Sequence, residues 1–301
     1  MNSLQLARFL NITFIISKGI RKMSFPKKIQ VKFNNTRHKF TIDYLEKKYG
    51  FINDKYSSNE KIEGNIPKKI WIFWWQGIES APLVVQKCIS QVKKNTNAEI
   101  SIITKWNFKE YTNISNILLE KFEEGKFSIT HFSDILRFNL LKNHGGLWLD
   151  STVYIAREIP DNLWLQPYYS SGPFVDNEHF NVSLGEWSGF FQGGIKDHPF
   201  FCYMDEFFNS YWEKEDVLID YFLIDYAMRI AQRQGILTLN NFGRNNRNSN
   251  MFNLQQKLNK EFEKSNWEEM LKDTFAFKLS YKQKISESEG TYFDELFNER
   301  K

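Results

Sequence analysis

A chain of 301 residues with 42% hydrophobic content can bury a sizeable core, which excludes a mainly disordered protein. Two cysteines, Cys88 and Cys202, stand in apolar contexts without CxxC spacing or a nearby histidine. They read as buried free thiols in a reducing compartment, not as a disulfide or zinc framework. The net charge of +4 is unevenly placed, because residues 1–42 hold nine Lys or Arg and no acid, leaving −5 for the rest.

The first apolar run, Phe9 to Ile16 (FLNITFII), is too short to span a bilayer and no small-residue cleavage site follows it. Followed by a basic cluster, it fits a helix lying on an anionic cytoplasmic leaflet; a solvated basic tail or a helix packed on the domain fits as well. FTIDYLEKKYGFI predicts a short helix, and the polar segment up to Pro67 a connection. Residues 1–65 are thus read as a basic arm with a short helix, and residues 66–301 as a catalytic domain. KIWIFWW (Lys69 to Trp75), continuous and apolar between Pro67 and Gly77, predicts a buried parallel strand. The spacing of Val84, Val85, Cys88, Ile89 and Val92 predicts a helix, and AEISIITKW the next strand. Strand, helix, strand is a βαβ unit, so an α/β fold with a mixed, mostly parallel sheet is expected. NISNILLEKFEEG predicts another helix, stopped by Gly125. Ser133 can cap a helix from Asp134 to about Asn143, with Gly145 and Gly146 as its left-handed stop and LWLD as a short buried strand ending on Asp150. The second half predicts an extended SGFFQGG, then two helices joined by an acidic turn. Residues 240–250 (NNFGRNNRNSN) are a polar loop of lid length, and FAFKLSYKQ is a last extended segment.

In a parallel sheet, ligands bind outside the carboxyl ends of the strands, where Asp150 stands. Asp134 and Arg137, spaced i and i+3, share one side of the preceding helix. Singly, such residues are most often a surface ion pair and a turn carboxylate. Their order and spacing make them a candidate site.

IPKKIWIFWWQG, FSDILRFNLLKNHGGLWLDST and the later HPFF, YW and DYFLIDY blocks resemble the capsular polysaccharide synthesis family and, more distantly, sugar transferases with a DxD motif. The resemblance covers Ile66 to Met228 and implies a GT-A-like, Rossmann-type sandwich that takes a nucleotide-sugar, UDP-linked by expectation, and passes a hexosyl group with retention of configuration. The acceptor would be a polysaccharide or lipid-linked oligosaccharide at the inner membrane face. The resemblance implies that Trp74, or its rival Trp75, stacks on the donor base, that Asp134 and Arg137 hold ribose and sugar hydroxyls, and that Gly145 and Gly146 allow close approach. This chain departs from the motif, reading Asp150-Ser151-Thr152, so Mn²⁺ or Mg²⁺ is expected on Asp150 alone with Thr152 as a weak extra ligand. Arg244, Arg247 and Lys278 are candidates for countering the leaving phosphate, and Asp220 and Asp225 for orienting the acceptor. A non-catalytic carbohydrate-binding protein would explain the aromatics but not the three charges. A nucleic-acid binder would use the basic arm, yet the rest is net acidic and lacks a basic-aromatic patch.

Overall fold

The structure, a computed structural model, describes residues 3–56, 62–239, 248–286 and 288–297. The described strands run β1 (Lys69–Phe73), β2 (Glu99–Ile103), β3 (Gly146–Asp150), β4 (Val153–Ile155), β5 (Tyr168–Ser170), β6 (Phe191–Gly194) and β7 (Ala276–Lys278). The helices of eight residues or more are α1 (Ser3–Lys22), α2 (Lys27–Tyr49), α3 (Leu83–Lys94), α4 (Asn116–Glu123), α5 (Ile129–His144), α6 (Pro199–Lys214), α7 (Leu223–Arg233) and α8 (Lys264–Leu271).

The central sheet has the order β2-β1-β3-β6-β5, and the fold is the expected α/β, Rossmann-like arrangement. Its β2, β1 and β3 are parallel, whereas β6 and β5 join antiparallel on one side. From β1 the chain moves to β2 on one flank and later to β3 on the other, which makes a topological switch point. The in-register pairs Phe73 with Ile103 and Phe73 with Asp150 bring the carboxyl ends of all three strands to one edge. That is where open α/β sheets take their ligands.

The period of two along each strand sorts side chains between two cores. Trp71, Phe73 and Trp148 enter the cluster under α5 and α6, while Ile70, Ile72, Leu147 and Leu149 enter the one under α3. Asp150, two residues after Trp148, therefore faces α5. A separate two-stranded sheet, β4 with β7, pairs Val153 with Lys278 and carries the C-terminal segment back beside the end of β3.

Two local expectations change. The site helix begins at Ile129, capped by the Ser128 side chain, which accepts from the His131 N–H; Ser133 lies inside it. The N-terminal segment is two long helices built into the body. Leu6, Leu10, Ile42, Leu45 and Tyr49 belong to the same core as α5 and α6. Arg37 pairs with Asp220, and the Tyr49 hydroxyl donates to Glu215 at 2.9 Å. Among the described residues no helix is long and apolar enough to cross a membrane.

Candidate active site

The carboxylate of Asp150 is the centre of the arrangement. Trp148, on the same face of β3, donates its indole N–H to Oδ1 at 2.9 Å. Arg137, from α5, reaches the same oxygen at 3.2 Å, with its guanidinium 5.1 Å from the Trp148 ring centroid. The second oxygen accepts from Lys278 Nζ at 2.8 Å, and that ammonium also donates to Thr152 Oγ1 at 2.7 Å. Asp134 stands one helical turn before Arg137, 3.4 Å from its Nη2. The three charges expected to meet do meet. Their side chains keep 15%, 5% and 27% of their surface for Asp134, Arg137 and Asp150, so the cluster is sheltered but reaches solvent at Asp150.

Gly189 makes room for Arg137, since a Cβ there would lie 2.8 Å from Nη1. The next residue, Phe190, accepts the Asp150 N–H through its carbonyl at 2.8 Å. Arg137 Nε is shielded and has no acceptor among the described residues. From α7, Asp225 accepts the Trp187 indole N–H at 2.9 Å and acts electrostatically on Asp134.

Burial raises the Asp134 carboxyl to about 7; Arg137 opposes this, and Asp150 and Asp225 add to it. Asp225 is likewise pushed up to about 6 by burial, against the Trp187 hydrogen bond and Arg137. Burial also works against ionised Asp150, but Lys278 and Arg137 outweigh it and hold its carboxyl below the ordinary range. One permanent carboxylate thus sits between two cations, beside two acids whose carboxyls are lifted to about 7 for Asp134 and about 6 for Asp225. His131, buried and lowered to about 3, is neutral and accepts the Trp212 indole N–H at 2.9 Å. It packs, and so does His198, whose ring accepts the Phe200 N–H as a helix cap.

The other expected site residues divide. Trp74 and Trp75 leave β1 in opposite directions. Trp75, half-buried, packs edge-on against Phe122 and Phe132 at the margin of the core on the α5 side. Trp74 meets Tyr281 edge to face at 5.4 Å, and its indole N–H is shielded without an acceptor among the described residues. Gly145 and Gly146, expected beside the donor, lie at the far end of β3, about 13 Å from Asp150 at the usual rise per residue. They serve backbone packing, since Cβ atoms there would come 2.6 Å from Lys196 N and Lys69 O, and both adopt positive φ. Asp220, expected near the acceptor, is buried against Arg37 of α2. Residues 240–247, with Arg244, Arg247 and most of the expected lid, lie outside the described residues.

A divalent cation is the poorest fit. Both Asp150 oxygens and the Thr152 hydroxyl already face cationic donors. Among the described residues no group of three His, Cys, Asp or Glu could hold a metal. Hard divalent ions need about six oxygen ligands.

The model of the capsular polysaccharide synthesis protein family matches residues 21–296. The chain belongs to that family. No curated protein and no solved structure matches it. The match takes in α2, the parallel strands and β7, hence every residue of the Asp150 cluster, and ties the chain to capsule biosynthesis.

Proposed function

We propose that this family member is a glycosyltransferase that moves a hexosyl group from a nucleotide diphosphate donor, a UDP-sugar first, to a polysaccharide or lipid-linked glycan. One observation carries the reading: two cations from distant parts of the chain converge on one carboxylate at the switch point of the sheet. Departure of a nucleotide diphosphate develops negative charge on a phosphate oxygen, and fixed cations at that place lower the barrier. Arg137 is held by Asp134 and Asp150, so its charge is in place before the donor arrives. Trp74 presents an amphipathic ring at the end of β1 for the base or ribose. Asp134, poised near neutrality, accepts a hydrogen bond from a sugar hydroxyl as carboxylate and donates one as acid. With retention, the acceptor hydroxyl attacks the face the leaving group departs from. The bond from C1 to the phosphate oxygen breaks, the bond from C1 to the acceptor oxygen forms, and the hydroxyl proton passes to the departing phosphate.

The test is a panel of UDP- and GDP-sugars scored for slow donor hydrolysis. One donor should be turned over by the wild type, and Asp150→Ala should lose about 100-fold or more, the scale of removing one preorganised charge-stabilising group. Equal turnover by both proteins would refute the assignment. Sugar binding indifferent to the nucleotide would instead identify a carbohydrate-binding protein.

The same reading places the enzyme on a membrane surface. Phe9, Ile12, Ile15 and Ile16 of α1 and Ile29 and Phe40 of α2 are exposed, and the helices enclose a groove of about 610 Å³ lined by apolar side chains with Lys28 and Lys32. Apolar groups beside Lys28 and Lys32, in a segment where residues 1–42 hold no acid, match an anionic bilayer, to which each exposed Lys or Arg contributes about 1 kcal/mol. The full chain should sediment with phosphatidylglycerol vesicles and lose that binding when Ile12, Ile15 and Ile16 become serine. Retention by the triple variant would discard the membrane face.

A further inference from the structure

The DxD pattern lacks its second carboxylate here, and the structure puts a lysine where the ion would go. Lys278 Nζ lies 2.8 Å from Asp150 Oδ2 and 2.7 Å from Thr152 Oγ1, which are the two groups a metal bound to this motif would use. Three features hold the ammonium there. The ladder between β4 and β7 sets Lys278 opposite Val153. Buried Asn248 fixes the start of β7, its Oδ1 accepting the N–H groups of Phe275 and Ala276 at 2.9 and 3.1 Å. The Phe190 ring lies 5.3 Å from Nζ.

Charge decides between the two cations. With Asp134 protonated, Asp150, Arg137 and Lys278 sum to +1, a suitable host for a diphosphate. A divalent ion at Asp150 would raise the sum to +3 around one permanent carboxylate, unless Lys278 were expelled from two short hydrogen bonds and its strand register. The repulsion of like charges at such distances is several kcal/mol even at an effective dielectric of about 20.

Resting on the transferase reading above, we infer that Lys278 takes the place of the divalent cation. Its ammonium keeps Asp150 and Thr152 as partners and gives its third N–H to the diphosphate of the donor, and the enzyme binds nucleotide and releases it without a metal. Arg137 remains on Asp150 as the second fixed charge.

Calorimetric titration of the full chain with UDP and GDP, in EDTA and in Mn²⁺, tests this, together with Mn²⁺ titration alone followed by electron paramagnetic resonance. A nucleotide should bind equally well in both buffers, and the wild type should take up no Mn²⁺ at micromolar concentration. Lys278→Met, which keeps the apolar stem, should weaken nucleotide binding about 10- to 100-fold, as expected for one charge-assisted contact, and Lys278→Arg should restore part of it. Nucleotide binding that requires Mn²⁺, or stoichiometric Mn²⁺ uptake by the wild type, overturns this inference and leaves the transferase reading standing. Absence of nucleotide binding in both buffers overturns that reading and this one with it. The two wild-type titrations judge the inference even if the variants fail to fold.

Discussion

Replacing Asp134 with asparagine should stabilise the protein at neutral pH and do nothing of the kind in acid. The reason is the cost of burying a carboxylate beside Asp150 and Asp225, which lifts its carboxyl from 3.8 to about 7. In the unfolded chain the group ionises above pH 3.8; in the folded protein it keeps its proton until about 7. Across that window the folded state binds more protons, so this residue's contribution to stability falls as pH rises, and it stays at its minimum above pH 7. About three pH units at roughly 1.4 kcal/mol each give up to about 4 kcal/mol. Arg137 already opposes burial within that shift, so its 3.4 Å contact is not subtracted again, and a gain of up to about 4 kcal/mol is the expectation. For a chain of this length that is a rise of up to about 6 °C in melting temperature at pH 8. Urea or thermal unfolding of both proteins from pH 4 to pH 8 is the assay. The stability difference should grow with pH and level off near neutrality. Parallel pH profiles, or a variant less stable at pH 8 than the wild type, would refute the account of Asp134 as a buried acid kept for function at a cost in stability. Donor turnover should fall in the same variant, because asparagine neither ionises nor gives up a proton.

Asp220→Ala should cost about 3–5 kcal/mol in denaturant titration by stranding Arg37, both side chains being almost fully buried; nucleotide affinity in the folded variant should be unchanged. The two tryptophans should separate by phenotype. Trp75→Ala, which removes half-buried aromatic packing against Phe122 and Phe132, should lower stability by about 2–3 kcal/mol. Trp74→Ala should weaken nucleotide binding roughly tenfold with a smaller loss of stability, on the scale of one base stacking contact. A Trp74→Ala variant that binds UDP and GDP as the wild type does would remove that ring from the donor site.

The sheet and the meeting of Asp134, Arg137 and Asp150 were legible because both follow from local periods. Apolar runs bounded by Pro67 and Gly77 mark β1, and spacings of three on α5 and two on β3 aim Arg137 and Asp150 at the same place. Helix α2 was legible only at its end, because its inward side is polar. Gln30, Asn34, Arg37, His38 and Thr41 are buried there, and a stripe of that chemistry carries no hydrophobic period. Gly145 and Gly146 were misplaced for a related reason. A glycine needed for close backbone approach has the same letter whether the neighbour is a ligand or a strand.

By itself, then, the sequence determined an α/β body with an acid at the mouth of its central strand and a cation one turn along the helix before it, since those relations are set over a few residues. Only the tertiary structure decided what Asp150 answers to. Lys278 lies 128 residues away along the chain and arrives through the ladder of β7 on β4, a long-range pairing that no local pattern encodes. The chain folds a lysine onto Asp150 and Thr152 because strand register, not sequence proximity, sets which charges share a carboxylate.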